Sequence, residues 1–264
     1  MTIDPSAQIH PSAHVEPGAR IGAGCRVGPF CLIGPEVVLG RAVEVKSHAV
    51  ITGRTEIGEG TVIFPFATIG EIPQDLKFQG EDTSLVIGAR NRIREHVTIN
   101  VGTGGGGGVT RIGDDCLLMA GAHVAHDCQL GNKVILVNNA ALAGHCVLED
   151  EVIVGGLSGV HQFVRIGRGA MIGAVTMVTA DVIPHGLVQG PRGTLDGLNL
   201  VGLKRRGAGR GDITALRDLV AALGQGTFRD TARARSAENP DCALVREVLD
   251  FILGPSDRSF LTPR

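Results

Sequence analysis

The residues best suited to chemistry lie within two short stretches: His123-Val124-Ala125-His126-Asp127-Cys128, then Leu142-Ala143-Gly144-His145, with His161-Gln162 following. A histidine titrates near pH ~6.5, so an imidazole beside a carboxylate can take a proton from a hydroxyl at neutral pH. Three imidazoles, His123, His126 and His145, could instead hold a zinc ion. A third reading is a solvated corner crowded with polar side chains. Asp127 next to His126 fits the orientation of a base at least as well as it fits a metal. Basic residues gather later, at Arg165, Arg168, Arg192, Lys204, Arg205, Arg206 and Arg210, where they could hold phosphate groups or an acidic protein.

Residues so far apart in sequence meet only if the chain returns to the same place at a fixed interval. Stepping by six from Ile3 gives Ile9, Val15, Ile21, Val27, Ile33, Leu39, Val45, Ile51, Ile57, Ile63 and Ile69, all aliphatic. The frame breaks, resumes at Ile87, Ile93 and Ile99, breaks again at a glycine run, and then runs from Ile112 to Val178. Two residues before almost every aliphatic stands a small one, such as Ala19, Cys25, Cys31, Ala122, Cys128 or Ala140. Residues two apart on a strand share a face, so both positions point inward. Twenty-seven such hexads, three to a coil, stack as about nine coils of a parallel β-helix with rungs ~4.8 Å apart. One coil is eighteen residues, which carries Asp127 to His145 and His126 to Gly144, and another carries Gly144 to Gln162. These side chains therefore form a ladder on one edge of the prism, with His123 on the adjoining outer face.

The predicted organisation is a β-helix over residues 1–190, with excursions at about 71–84 and 102–109, and a helical segment over 191–264. The spacing over 212–220 and 243–249 is near 3.6, so the tail is expected to cover the open end of the solenoid. Gly102-x-Gly104-x-x-Gly107 matches a dinucleotide fingerprint in letters only, because another hexad follows it rather than a helix. Five of six cysteines occupy the small inward position and act as small hydrophobes. With 39 Gly, 8 Phe, no Trp or Tyr and a formal charge of −2, the composition suits a thin repeat core and gives no general attraction to nucleic acid or anionic membranes. The first residues lack a basic stretch followed by an apolar one, and no apolar run approaches ~18 residues, so a cytoplasmic protein is expected.

Several stretches together resemble the UDP-N-acetylglucosamine O-acyltransferase family, which performs the first step of lipid A biosynthesis. They are Ile69-Gly70-Glu71-Ile72-Pro73-Gln74-Asp75-Leu76-Lys77-Phe78, Asn91-Arg92-Ile93-Arg94-Glu95, the His123 to Cys128 and Leu142 to His145 stretches, His161-Gln162-Phe163 and Gly202-Leu203-Lys204-Arg205-Arg206-Gly207. The resemblance implies a left-handed β-helix, a homotrimer with clefts between subunits, and transfer of a 3-hydroxyacyl chain from acyl carrier protein to the sugar 3-hydroxyl. It implies His126 as general base, Asp127 as its orienting partner and the Gly144 N–H as oxyanion donor. Asp75, Lys77, His123, His145, His161, Gln162, Asn199 and Arg205 would bind substrate. Arg165, Arg168 and Arg206 would dock the acidic carrier protein. No metal or redox cofactor is implied.

Two positions depart from the family pattern. Arg192 stands where many members have His, and Ala174 stands where long-chain members have Gly, which implies a chain no longer than the Gly-bearing enzymes accept. Three alternatives stay open on the residues alone. One is the N-acyltransferase of the same pathway, disfavoured because hexads begin at Ile3 with no preceding domain. The others are a zinc-dependent enzyme, as in the trimeric γ-type carbonic anhydrases, and a non-catalytic binding module.

Overall fold

In the computed structural model, which describes residues 2–263, every one of the twenty-seven hexads becomes a short strand. The strands line up in three parallel sheets that form the faces of a prism. The first face runs from Thr2–Ile3 to Arg165–Ile166, the second from Gln8–Ile9 to Met171–Ile172, and the third from His14–Val15 to Met177–Val178. The helix is left-handed. Each strand pairs with the one a coil later, and the excursions do not disturb this: Ile57 pairs with Ile87 across the first, and Ile87 with Ile112 across the second.

The interior is the stack of aliphatics that the six-residue step picks out, from Ile21 to Val178 almost wholly buried. Each large side chain removed from water stabilises by about 1.5–3 kcal/mol. The small position beside them does a second job. Cys25, Cys31, Cys116, Cys128 and Cys146 each point a thiol at the carbonyl fifteen residues on, at 2.9, 2.8, 3.3, 3.2 and 3.2 Å. Ser158 does the same with its hydroxyl, at 2.8 Å from the Gly173 carbonyl. The cysteines are therefore small core residues that also supply a weak donor to a corner carbonyl, and all six are free thiols.

The end of the prism is more elaborate than the sequence reading allows. Gly186–Gln189 adds a further parallel strand to the second sheet, and Thr194–Leu198 turns back against it. The expected division at 190/191 thus falls in the turn of a hairpin. Four helices follow: α1 (Leu200–Arg205), α2 (Arg210–Leu223), α3 (Phe228–Ala237) and α4 (Ala243–Leu253). α2 buries Ile213, Leu216, Leu219 and Leu223, and α4 buries Val245, Val248, Leu249, Phe251 and Ile252, the 3.6-residue stripe in each case. Among the described residues no helix is long and apolar enough to cross a membrane.

The helices are fastened to the coils by ion pairs. Arg165, Arg168 and Arg206, the three arginines expected to dock the carrier protein, each have a guanidinium engaged within the chain. Arg165 pairs with buried Asp181 at 2.9 Å and lies over the Phe251 ring at 4.4 Å. Arg168 grips Glu247 of α4 with two nitrogens, Nη2 at 2.7 Å. Arg206 donates to His185 Nδ1 at 3.0 Å and faces Glu151 at 3.5 Å.

Candidate active site

His126 and Asp127 occupy the corner between the third and first faces. Asp127 has φ of 60°, a left-handed conformation that Asp tolerates better than most residues. Both of its carboxylate oxygens are occupied. Thr103 donates to Oδ1 through its N–H at 2.9 Å and to Oδ2 through its hydroxyl at 2.6 Å, and His126 Nδ1 donates to Oδ2 at 2.8 Å. Burial would raise the Asp127 carboxyl, but these hydrogen bonds outweigh it and hold the group below its ordinary range. A carboxylate only accepts, so the proton on His126 sits on Nδ1 and the lone pair on Nε2. That is the tautomer a general base needs.

The eighteen-residue ladder forms as expected. The His145 ring meets the His126 ring edge-on at 4.9 Å and stacks on Phe163 at 4.3 Å. Gly144 lies directly against His126: a Cβ on it would come within 2.4 Å of the His126 ring. The position must be glycine for the ring to sit where it does. No acceptor among the described residues takes up the Gly144 N–H, so it remains free to donate to a ligand.

A cleft of about 460 Å³ opens beside the pair, lined by His123, His126, Gly144, His161, Gln162 and Met177 among others. His123 Nδ1 is 2.7 Å from Thr98 Oγ1, and burial, with help from His126, lowers its pKa. Burial also lowers His145, a pull that Asp127 and Asp75 oppose and His126 reinforces. His161 accepts from Arg258 at 2.9 Å through Nδ1. From the 72–83 excursion, Gln74 joins the cleft lining and Asp75 comes close enough to act on His145, while Lys77 is solvent-exposed. Asn199 and Arg205 do not join this cleft within one chain. Asn199 caps α1 by accepting from Gly202 N–H and donates to the Gly169 carbonyl, and Arg205 is exposed.

Three residues that hold Asp127 escape the sequence reading. Thr103 and Gly106 belong to the second excursion, which folds over Asp127: a Cβ on Gly106 would fall 2.1 Å from the carboxyl carbon. Thr110 accepts from the Asp127 N–H at 2.8 Å. Excursions leave the hexad frame, so no periodic signal points to Thr103 or Gly106, and Thr110, two residues before Ile112, reads as an inward core position.

His126, Asp127 and His145 bring ligand atoms within 4.8 Å of one another, and His123 is outside that group. The expected zinc set of three imidazoles is therefore not the one assembled. A cation here would compete for Asp127 oxygens already filled by Thr103 and His126, which favours the proton-transfer reading.

A hexapeptide prism carrying a carboxylate-held imidazole, opposed to a free backbone N–H, defines an acyltransferase of the β-helix class. Comparison with known proteins makes this specific. Residues 181–261 match the family model described as UDP-N-acetylglucosamine O-acyltransferase, domain 2, and residues 1–35 and 110–144 match the bacterial transferase hexapeptide model. The chain is 80% identical over 202 residues to the acyl-[acyl-carrier-protein]–UDP-N-acetylglucosamine O-acyltransferase of Paracoccus denitrificans, covering 76% of this chain and 77% of that one. It is 51% identical to the protein of the same name from Rhizobium etli, over 84% and 82%. The solved UDP-N-acetylglucosamine acyltransferase from Campylobacter jejuni superposes with a TM-score of 0.91 at 38% identity, over 97% of this chain and all of that one. The Arabidopsis enzyme does so at 0.78 and 31%, over 98% of this chain and all of that one. The chain belongs to the UDP-N-acetylglucosamine O-acyltransferase family.

Proposed function

We propose that the protein transfers a (R)-3-hydroxyacyl chain from acyl carrier protein to the 3-hydroxyl of UDP-N-acetylglucosamine, the first step of lipid A biosynthesis. The observation that carries the mechanism is the pairing of His126 Nδ1 with Asp127, which leaves the lone pair on Nε2 of a ring that lines the cleft together with Gly144. His126 Nε2 takes the proton of the 3-hydroxyl as its oxygen attacks the thioester carbonyl carbon. The carbonyl oxygen becomes an oxyanion that the Gly144 N–H stabilises. Collapse breaks the carbon–sulfur bond, and His126 returns the proton to the departing thiolate. Asp127 holds the imidazolium that exists between these steps.

His123, His145, His161, Gln162, Asp75 and Lys77 bind the acceptor in this reading. The acyl chain runs from the cleft across the third face, where Ala141 and Gly159 are in register and leave room, past Met177 toward Ala174. Ala174 is exposed beside Val175, and Leu157 lies nearby on the same edge. That exposed apolar strip supports a homotrimer with clefts between subunits, in which the partner subunit's Asn199 and Arg205 complete the site. Arg165, Arg168 and Arg206 are paired internally, and exposed Arg192, Lys204 and Arg210 join them in meeting an acidic carrier protein. The residues supply the base and the oxyanion donor themselves, so no metal is required. The test is turnover of 3-hydroxyacyl carrier protein and UDP-N-acetylglucosamine by chelator-treated protein. His126→Ala is expected to lower kcat by ~10²–10⁴-fold with folding intact, and equal turnover by the variant would refute the base assignment.

A further inference from the structure

Thr103 stands just before the short helical turn Gly104–Gly106, in the position where a threonine usually turns its side-chain oxygen to the N–H groups of the turn it opens. It makes no such bond. Its hydroxyl donates instead to Asp127 Oδ2 at 2.6 Å, and its N–H donates to Asp127 Oδ1 at 2.9 Å. Both donors of one residue are thus directed at one carboxylate. Only the Thr103 carbonyl serves the turn, accepting from the Gly106 and Gly108 N–H groups at 3.1 and 2.9 Å. Thr103 is 7% exposed and is not part of the cleft wall.

The carboxylate needs a firm hold because a second imidazole is close to it. His126 Nδ1 is 2.8 Å from Asp127 Oδ2, and His145 Nδ1 is 3.8 Å from the same oxygen. An aspartate held through one oxygen can turn about the bond to its carboxyl group, whereas one held through both cannot. We propose that Thr103 is a positioning residue of the transfer reaction, fixing the Asp127 carboxylate on Nδ1 of His126, an inference that rests on the functional reading above. Gly106 lets the excursion come close enough to do this, since a Cβ there would fall 2.1 Å from the Asp127 carboxyl carbon. The base then keeps its working tautomer and orientation through a residue outside the cleft, and a small error in that orientation is costly to the rate.

Thr103→Val keeps the shape and the N–H of the residue and removes the hydroxyl. It is expected to lower kcat roughly tenfold, while the KM for UDP-N-acetylglucosamine stays within about twofold. Thr103→Ser keeps the donor and should recover most of the lost kcat. The loss should also pass through the carboxylate, so in Asp127→Ala protein the added change Thr103→Val is expected to leave kcat as it is. If Thr103→Val turns over as fast as wild type, or raises KM alone, the proposal is overturned. It is overturned as well if Thr103→Val slows the Asp127→Ala protein by the factor seen in wild type, or if Thr103→Ser is as impaired as Thr103→Val, because Thr103 then only anchors the excursion. Wild-type protein that fails to acylate UDP-N-acetylglucosamine would instead refute the functional reading, a result visible before any variant is made.

Discussion

His126 is held by three neighbours of different kinds: a carboxylate on Nδ1, an imidazole at right angles to it, and a glycine packed against its ring. The glycine sets the most exacting limit. Gly144→Ala places a methyl inside the ring's own volume, so His126 must turn away from Asp127, and kcat should fall ~10²-fold or more with little change in thermal stability. Steady-state kinetics together with a melting curve check this, and a variant as active as wild type would show that the ring has room to move. Ala174 is a separate lever. Ala174→Gly should move the preferred donor toward longer chains, read by assaying carrier proteins of graded acyl length, and an unchanged or shorter preference would remove Ala174 as the length determinant. The pair and its ladder could be read in the sequence because both sit in the hexad frame, where adding eighteen finds the neighbour. Thr103 and Gly106 could not be assigned roles, because what they do depends on how the second excursion folds back.

The attachment of α4 is an electrostatic clamp at the scale of elements. His185 is buried with Nδ1 accepting from Arg206 and Nε2 donating to Glu247, which Arg168 also holds. Burial would raise the Glu247 carboxyl, but His185 and Arg168 outweigh it and bring it down to about 2 from an ordinary 4.5. A carboxylate depressed by folding contributes its full stability above about pH 4.5 and loses it as the pH falls toward 2. Glu247→Gln is therefore expected to cost on the order of 2 kcal/mol at neutral pH and nothing near pH 2, and denaturant melts at the two pH values test it. A constant difference across that range would place the clamp elsewhere. α2 and α4 were legible because each carries an uninterrupted 3.6-residue stripe. α3 was not, since it buries only Phe228 and Ala232. The hairpin hid in part behind its own turn, Gly190-Pro191-Arg192-Gly193, which reads as an end to regular structure while it joins two paired strands.

The molecule as a whole is a column of nearest-neighbour contacts with unlike ends. Ile3, Ile9 and Val15 of the first coil are only partly buried, whereas the last coils lie beneath the hairpin and the helices. In such a stack each coil is held by the coils beside it, so local stability should rise away from the loose end. Amide exchange is expected to be fastest at residues 2–15 and slowest in the coils around Leu142 to Ile172, graded along the axis. Uniform protection from the first coil onward would show that another surface covers it.

The two excursions leave from a corner and return to the same corner, and the coils on either side stay in register. The prism therefore counts returns and not residues. A loop of new length grafted at a corner leaves every later side chain facing as before, while one residue added within a strand turns that strand's remaining side chains over. A lineage built on this column can change its ligand by editing the margins, as Thr103 and Gln74 already illustrate, and hand the interior down untouched.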